Sequence, residues 1–217
     1  MLLSRLQELI GGIYDVRVAY DVCDFLVTDR RRLPSACNGG IADEELLVAQ
    51  SADGSEVSLS LYLDPALLAR LASADPLVEL HGGNLADWWT ALEGVSHFLY
   101  LAWNAGHDKP VSLLELEMQA EVDKYVASYW LMRRQYPEHF PAELRRVLFE
   151  RTRIDPRLAA GRRALYGEAN RYAARFCRRL ERRLNEPVHG EREVLAELRR
   201  FYRLGNARKR AHIERTA

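Results

Sequence analysis

The sequence predicts an α+β, predominantly α-helical fold, with a small N-terminal β-hairpin or sheet followed by a helical bundle. Two observations carry that expectation. Val57, Leu59, Leu61 and Leu63 alternate with Ser58, Ser60 and Tyr62, the period of two of a half-buried strand. From Asn84 onward, apolar residues instead recur at helical spacing between breaks at Pro110, Pro137, Pro141, Pro156 and Pro187.

In chain order, residues 2–11 predict a short amphipathic helix ended by Gly11-Gly12. Residues 14–28 mix β-branched and aromatic positions with Asp, and part of them is expected as strand. Arg30–Arg32, Pro34 and Asn38-Gly39-Gly40 mark a loop. The run Glu45–Gln50 is expected to pair with the alternating strand across a turn at Asp53-Gly54. Asp64-Pro65 then opens a helix, with Asp at the N-cap and Pro in the first turn. Five helices follow, about 84–104, 112–135, 141–152, 156–185 and 191–204. Asn84 is expected to cap the first, and Ser112 with Glu115 to form a capping box on the second. The segment 206–217 has no strong apolar stripe and is expected to fray. One domain over 1–217 is expected, with an α/β part at 1–83 and a helical part at 84–205.

The composition excludes several classes. Cys23, Cys37 and Cys177 are odd in number and far apart, without metal-ligand spacing, and read as reduced thiols. The longest apolar run, Phe98 to Trp103, is far shorter than the roughly 20 residues of a membrane span. A cytoplasmic protein without membrane insertion is therefore expected. No GxSxG, GxxxxGK[ST] or GxGxxG occurs, so neither serine-hydrolase nor phosphate-loop chemistry has a motif.

Charge is divided unevenly. Residues 141–217 hold 21 Lys and Arg against 10 Asp and Glu; since the chain has 31 of each, residues 1–140 hold the reverse, 10 against 21. Such asymmetry marks a surface for an acidic protein or for nucleic acid, or an attraction between the two halves. Nearly all the basic residues are arginine. In helix 156–185, Leu165, Ala169, Tyr172, Phe176, Leu180 and Leu184 form the apolar stripe, which leaves Arg171, Arg175, Arg178, Arg179 and Arg182 on the other side. They read as a binding surface or as a solvated face with local pairs such as Arg178–Glu181. Tyr166, Phe201 and Tyr202 sit at helical spacing and are expected in the core, not as base-stacking platforms.

A second constellation lies on the central helices. Thr90, Glu93, His97, Tyr100 and Asn104 fall within about 80° of one another on a wheel otherwise apolar. On helix 112–135, Glu115, Gln119 and Asp123 read as the solvent face. Glu117, Glu121, Lys124 and Ser128 form a second polar stripe between apolar flanks. The short connection predicts an antiparallel helix pair, with Trp88, Leu92, Leu99, Leu116 and Ala120 buried and the two stripes level. The structural reading is an internal network of Glu93 with Lys124 and of His97 with Glu117 or Glu121, which Tyr100 and Asn104 extend. The functional reading places a divalent metal (Mn, Fe, Mg or Zn) on Glu93, His97, Glu117 and Glu121, for a metal-dependent hydrolase or oxidase. Neither HExxH nor a di-iron ExxH pair is present. Three functions follow: an interaction module whose arginine-rich C-terminal half engages an acidic partner, the metal-dependent enzyme, and sequence-independent nucleic-acid binding.

Overall fold

The computed structural model describes residues 1–33, 42–51, 56–151, 154–185 and 190–215. The expected turn at Asp53-Gly54, the Asn38-Gly39-Gly40 loop and Cys37 lie outside them. The fold is mixed α+β and predominantly helical, with eight helices and one three-stranded sheet among the described residues. Contacts group the chain into two compact units. The first is Met1–Leu9 with Arg17–Lys109; the second is Ile10–Val16 with Pro110–Ala217. The sheet thus groups with the helix that follows residue 84, not apart from it.

Helix α1 (Leu2–Tyr14) begins in the first unit and ends in the second. It runs through Gly11-Gly12 instead of stopping there. The helix turns at Asp15, whose φ is 53°, and Val16 N–H then returns to Gly11 O at 3.0 Å. A Cβ on Gly11 would stand 2.9 Å from Val16 O, so the glycine admits the returning chain rather than ending the helix.

In the first unit, only Leu26–Val27 of the expected 14–28 strand is extended, as β1. Val22–Phe25 is a 3₁₀ turn, because Asp21 accepts from Cys23 N–H at 2.8 Å and starts a helical turn there. β2 (Glu44–Gln50) and β3 (Val57–Leu63) pair antiparallel, with Leu46 opposite Leu61, and β1 lies parallel on the other side of β3. Asp64 caps α2 (Pro65–Ser73) by accepting from Ala66 N–H at 2.8 Å. Helix α3 (Leu85–Ala105) packs on β2 and β3. Its close approach is made at Gly94, where a Cβ would meet Leu61 Cδ1 at 2.7 Å and Glu44 Cγ at 2.9 Å. Asn84 occupies the N-cap position without capping through its side chain. It ties the preceding loop instead, accepting from His81 N–H and donating to Ala74 O and Glu79 O.

The second unit is built on α4 (Leu113–Gln135) and α6 (Ala160–Asn185), with α5 (Leu144–Glu150) against both. Helix α7 (Glu191–Tyr202) follows. The segment expected to fray is helix α8 (Asn206–Arg215), anchored by fully buried Lys209 and by Ile213. Aromatic contacts fill this core: Phe176 stacks on Phe201 at 4.0 Å and Tyr14 on Tyr202 at 4.3 Å. Phe201 and Tyr202 are thus core, and Tyr166 is half-buried. The end of α1 is closed here by arginines, with Arg199 donating to Ile13 O and Arg203 to Tyr14 O and Asp15 O. Among the described residues, no helix is long and apolar enough to cross a membrane.

Candidate functional site

On α3, the polar stripe is deeper than a solvent slit. His97, Tyr100 and Asn104 are buried, and Glu93 and Thr90 are half-buried. Asn104 Nδ2 donates to Tyr100 O at 2.8 Å, and Asn104 O receives the N–H groups of His107 and Lys109, which closes the helix end. His97 Nδ1 lies 3.8 Å from Glu44 Oε1. Glu44 was outside the expected set. The signal for it was available in Gly94, one turn from His97, since a glycine inside an amphipathic helix marks a close neighbour.

Glu117, Glu121, Lys124 and Ser128 all lie on α4 in the second unit. Lys124 Nζ donates to Glu121 Oε1 at 2.7 Å, and Ser128 Oγ donates to Lys124 O at 2.6 Å. Glu117 and Lys124 are both 8% exposed, a depth at which an isolated charge is costly. Lys124 thus pairs along its own helix with Glu121, a pairing outside the expected set.

The face read as solvent-exposed is the most buried polar surface in the second unit. Glu115, Gln119 and Asp123 are 3%, 0% and 1% exposed. Asp123 Oδ1 accepts from Tyr14 at 2.5 Å and from Gln119 Nε2 at 2.7 Å. Gln119 Oε1 in turn accepts from the Lys209 ammonium, which also sits 4.8 Å from the centre of the Phe201 ring. Burial lowers Lys209 to about 7, against the opposing pull of Glu115 and Asp123. Burial and then Asp123 hold the Tyr14 phenol well above its ordinary range, so it remains a donor. Glu115 Oε2 accepts from Asn206 N–H at 3.0 Å, at the first turn of α8. There it meets the positive end of that helix as well as a donor. Ser112 Oγ caps α4 as expected, by accepting from Glu115 N–H.

The arginines sort differently. Arg171, Arg175, Arg178 and Arg182 on α6 are exposed, and none forms an ion pair among the described residues. The expected Arg178–Glu181 pair is absent because Glu181 accepts from Arg145 of α5 at 2.7 Å. Arg179 turns inward. It and Arg183 both donate to Glu197 of α7, and Arg179 also donates to His212 Nε2 at 2.8 Å. Burial, with Arg183 and Arg182 nearby, lowers Arg179 to about 10, still a cation at neutral pH. His212 is lowered by burial and by Arg179, Arg200 and Arg215.

A shallow groove of about 420 Å³ opens beside His212, with Leu204, Ala207 and Ala211 along it. Arg200, Arg208 and Arg215 also line it; all three are exposed and lack an ion pair among the described residues. These seven exposed guanidinium groups therefore form no ion pair with a carboxylate among the described residues. Comparison with protein-family models, with curated proteins and with solved structures finds no match for the chain.

Proposed function

We propose that the second unit is a protein-interaction module that engages an acidic protein partner through its arginine-bearing helices. One observation carries the reading: Arg171, Arg175, Arg178 and Arg182 are exposed along α6 without ion pairs among the described residues. Arginine suits the task, because its planar fork of donors matches a carboxylate in a bidentate pair. Nucleic acid is the less supported ligand. Proteins that hold single strands without sequence preference add exposed aromatic platforms, and here Phe201 and Tyr202 are buried.

The test is binding of a fluorescent Glu-rich peptide, followed by anisotropy, to the native chain and to a variant with all four arginines changed to Glu. The four side chains are exposed, so the variant is expected to keep its circular dichroism. The expected result is peptide binding that weakens with salt and drops at least about tenfold in the variant. No binding at low salt, binding indifferent to the four changes, or preference for oligothymidine over the peptide would overturn the proposal. Metal analysis of the purified protein tests the rival reading of Glu93, His97, Glu117 and Glu121, which requires stoichiometric Mn, Fe, Mg or Zn.

A further inference from the structure

The groove along α8 has a chemistry that the exposed arginines of α6 do not share. Its residues on α8 are Ala207, Arg208, Ala211, His212 and Arg215, the spacing of one helix face. The same helix turns Lys209 and Ile213 into the core, and Arg210 stacks on Tyr172 at 5.3 Å. Two faces of α8 are therefore committed to the fold, and on the face with the groove His212 is held by Arg179 and Glu197 while Ala207, Arg208 and Arg215 stay exposed. Along that face the side chains alternate in character: Ala207 and Ala211 are short and apolar, Leu204 continues them from the α7–α8 turn, and arginines stand on either side.

We propose that this groove seats an acidic amphipathic helix of the partner, with one apolar side chain of that helix against Leu204, Ala207 and Ala211 and its carboxylates on Arg200, Arg208 and Arg215. The inference rests on the acidic-partner reading and makes it specific. Charge decides the sign of the occupant: three exposed arginines without ion pairs among the described residues surround the groove. Beside it, His212 Nε2 lies 3.1 Å from Glu197 Oε1, and that carboxylate is already shared with Arg179 and Arg183. The short alanines decide its shape, because they let another helix backbone come close and leave room for a larger side chain. A nucleic-acid backbone supplies anions but no projecting alkyl side chain to fill this apolar strip. A protein helix supplies both.

Two peptides of about four helical turns and equal negative charge test the proposal. One carries Leu at helical spacing and the other carries Gln at those positions. Anisotropy on the native chain is expected to show the Leu peptide bound at least about tenfold tighter, the return on burying one such side chain. Ala211→Arg fills the strip while adding a cation, so it should abolish the preference for Leu and leave binding of the Gln peptide intact or stronger. Ala207→Arg, at an exposed position, is the second variant should the first perturb the fold.

Equal affinity for the two peptides in the native chain overturns the groove while sparing the acidic-partner reading. Binding of neither peptide overturns both. A preference for Leu that survives both substitutions places the apolar contact elsewhere and overturns the groove. A dimer in sedimentation that Ala207→Arg dissolves assigns the groove to a second copy of this chain and overturns the inference as well.

Discussion

Tyr14, at the last turn of α1, donates its hydroxyl to Asp123 in the middle of α4 at 2.5 Å, and both side chains are fully or almost fully buried. The bond joins residues 109 positions apart. Removing the hydroxyl leaves Asp123 with one donor fewer in a place water does not reach. Tyr14→Phe is therefore expected to lower stability by about 1–3 kcal/mol, the usual cost of stranding a buried acceptor. The ring stacking on Tyr202 survives the change, so urea unfolding of Tyr14→Phe isolates the hydrogen bond. A loss well under that range would mean that the carboxylate's remaining partners, Gln119 among them, satisfy it.

Lys209 makes stability depend on pH in a definite direction. Its ammonium is lowered to about 7 in the fold, against 10.5 for an ordinary lysine. Between those values the unfolded chain still holds the proton that the folded chain has released. Stability from this group therefore rises with pH across that window. Lys209→Met is expected to lack this rise and to cost about 1–3 kcal/mol at neutral pH, because Gln119 loses its donor. The check is the difference between the two unfolding curves from pH 7 to 10, which cancels the titration of Cys177 and the tyrosines.

Gly94 and Gly12 both lie inside helices, yet their alanine variants should move in opposite directions. At Gly12 nothing stands within 4 Å of a new Cβ, so Gly12→Ala is expected to stabilise by up to about 1 kcal/mol through helix propensity. At Gly94 the Cβ meets Leu61 and Glu44 at less than 3 Å, so Gly94→Ala is expected to cost about 1–3 kcal/mol by overpacking. Thermal melts of the two variants side by side check the contrast.

His212 opposes acid stability. Burial and three arginines lower it from the ordinary 6.5, so as pH falls through that value the unfolded chain takes up the proton before the folded one does. Stability is thus lost toward acid, and His212→Gln should flatten the profile between pH 7 and 5. An acidic helix in the groove supplies carboxylates to offset Arg200 and Arg215, and proton uptake on peptide binding near pH 6 is the calorimetric signature expected.

Much of the fold was legible because it depends on neighbours in sequence. The alternation from Val57 to Leu63 marked a strand but not its buried face, since Val57 is exposed and Tyr62 is buried with Leu61 and Leu63. Asp64-Pro65 and Ser112 marked helix starts that the structure keeps. The burial of Trp88, Leu92, Leu99, Leu116 and Ala120 followed from apolar periodicity. What periodicity cannot say is who covers a polar stripe. Glu115, Gln119 and Asp123 looked like a wet face since their covers, Tyr14 and Lys209, lie about ninety positions or more away. Lys209 itself sits among charged residues that resemble a tail. The same blindness hid Glu44, which a strand delivers to His97. The arginine row of α6 was read from its wheel alone, and its four exposed members lie where that wheel put them, while Arg179 turned inward to Glu197.

The second unit combines Ile10–Val16 with residues beyond Pro110, and its buried polar chain runs from Tyr14 through Asp123 and Gln119 to Lys209. During synthesis, the earliest of these groups must wait for about two hundred further residues before the chain of hydrogen bonds is complete. Until then Glu115 and Gln119 of α4 lack the partners that α8 brings them, which makes the nascent chain a natural client for chaperones. Native pairings so distant in sequence also slow folding, because loop closure is required before any contact rewards it. Removal of residues 206–217 should accordingly leave the first unit's sheet in place and the second unit swollen and adhesive, a division that hydrogen exchange resolves residue by residue.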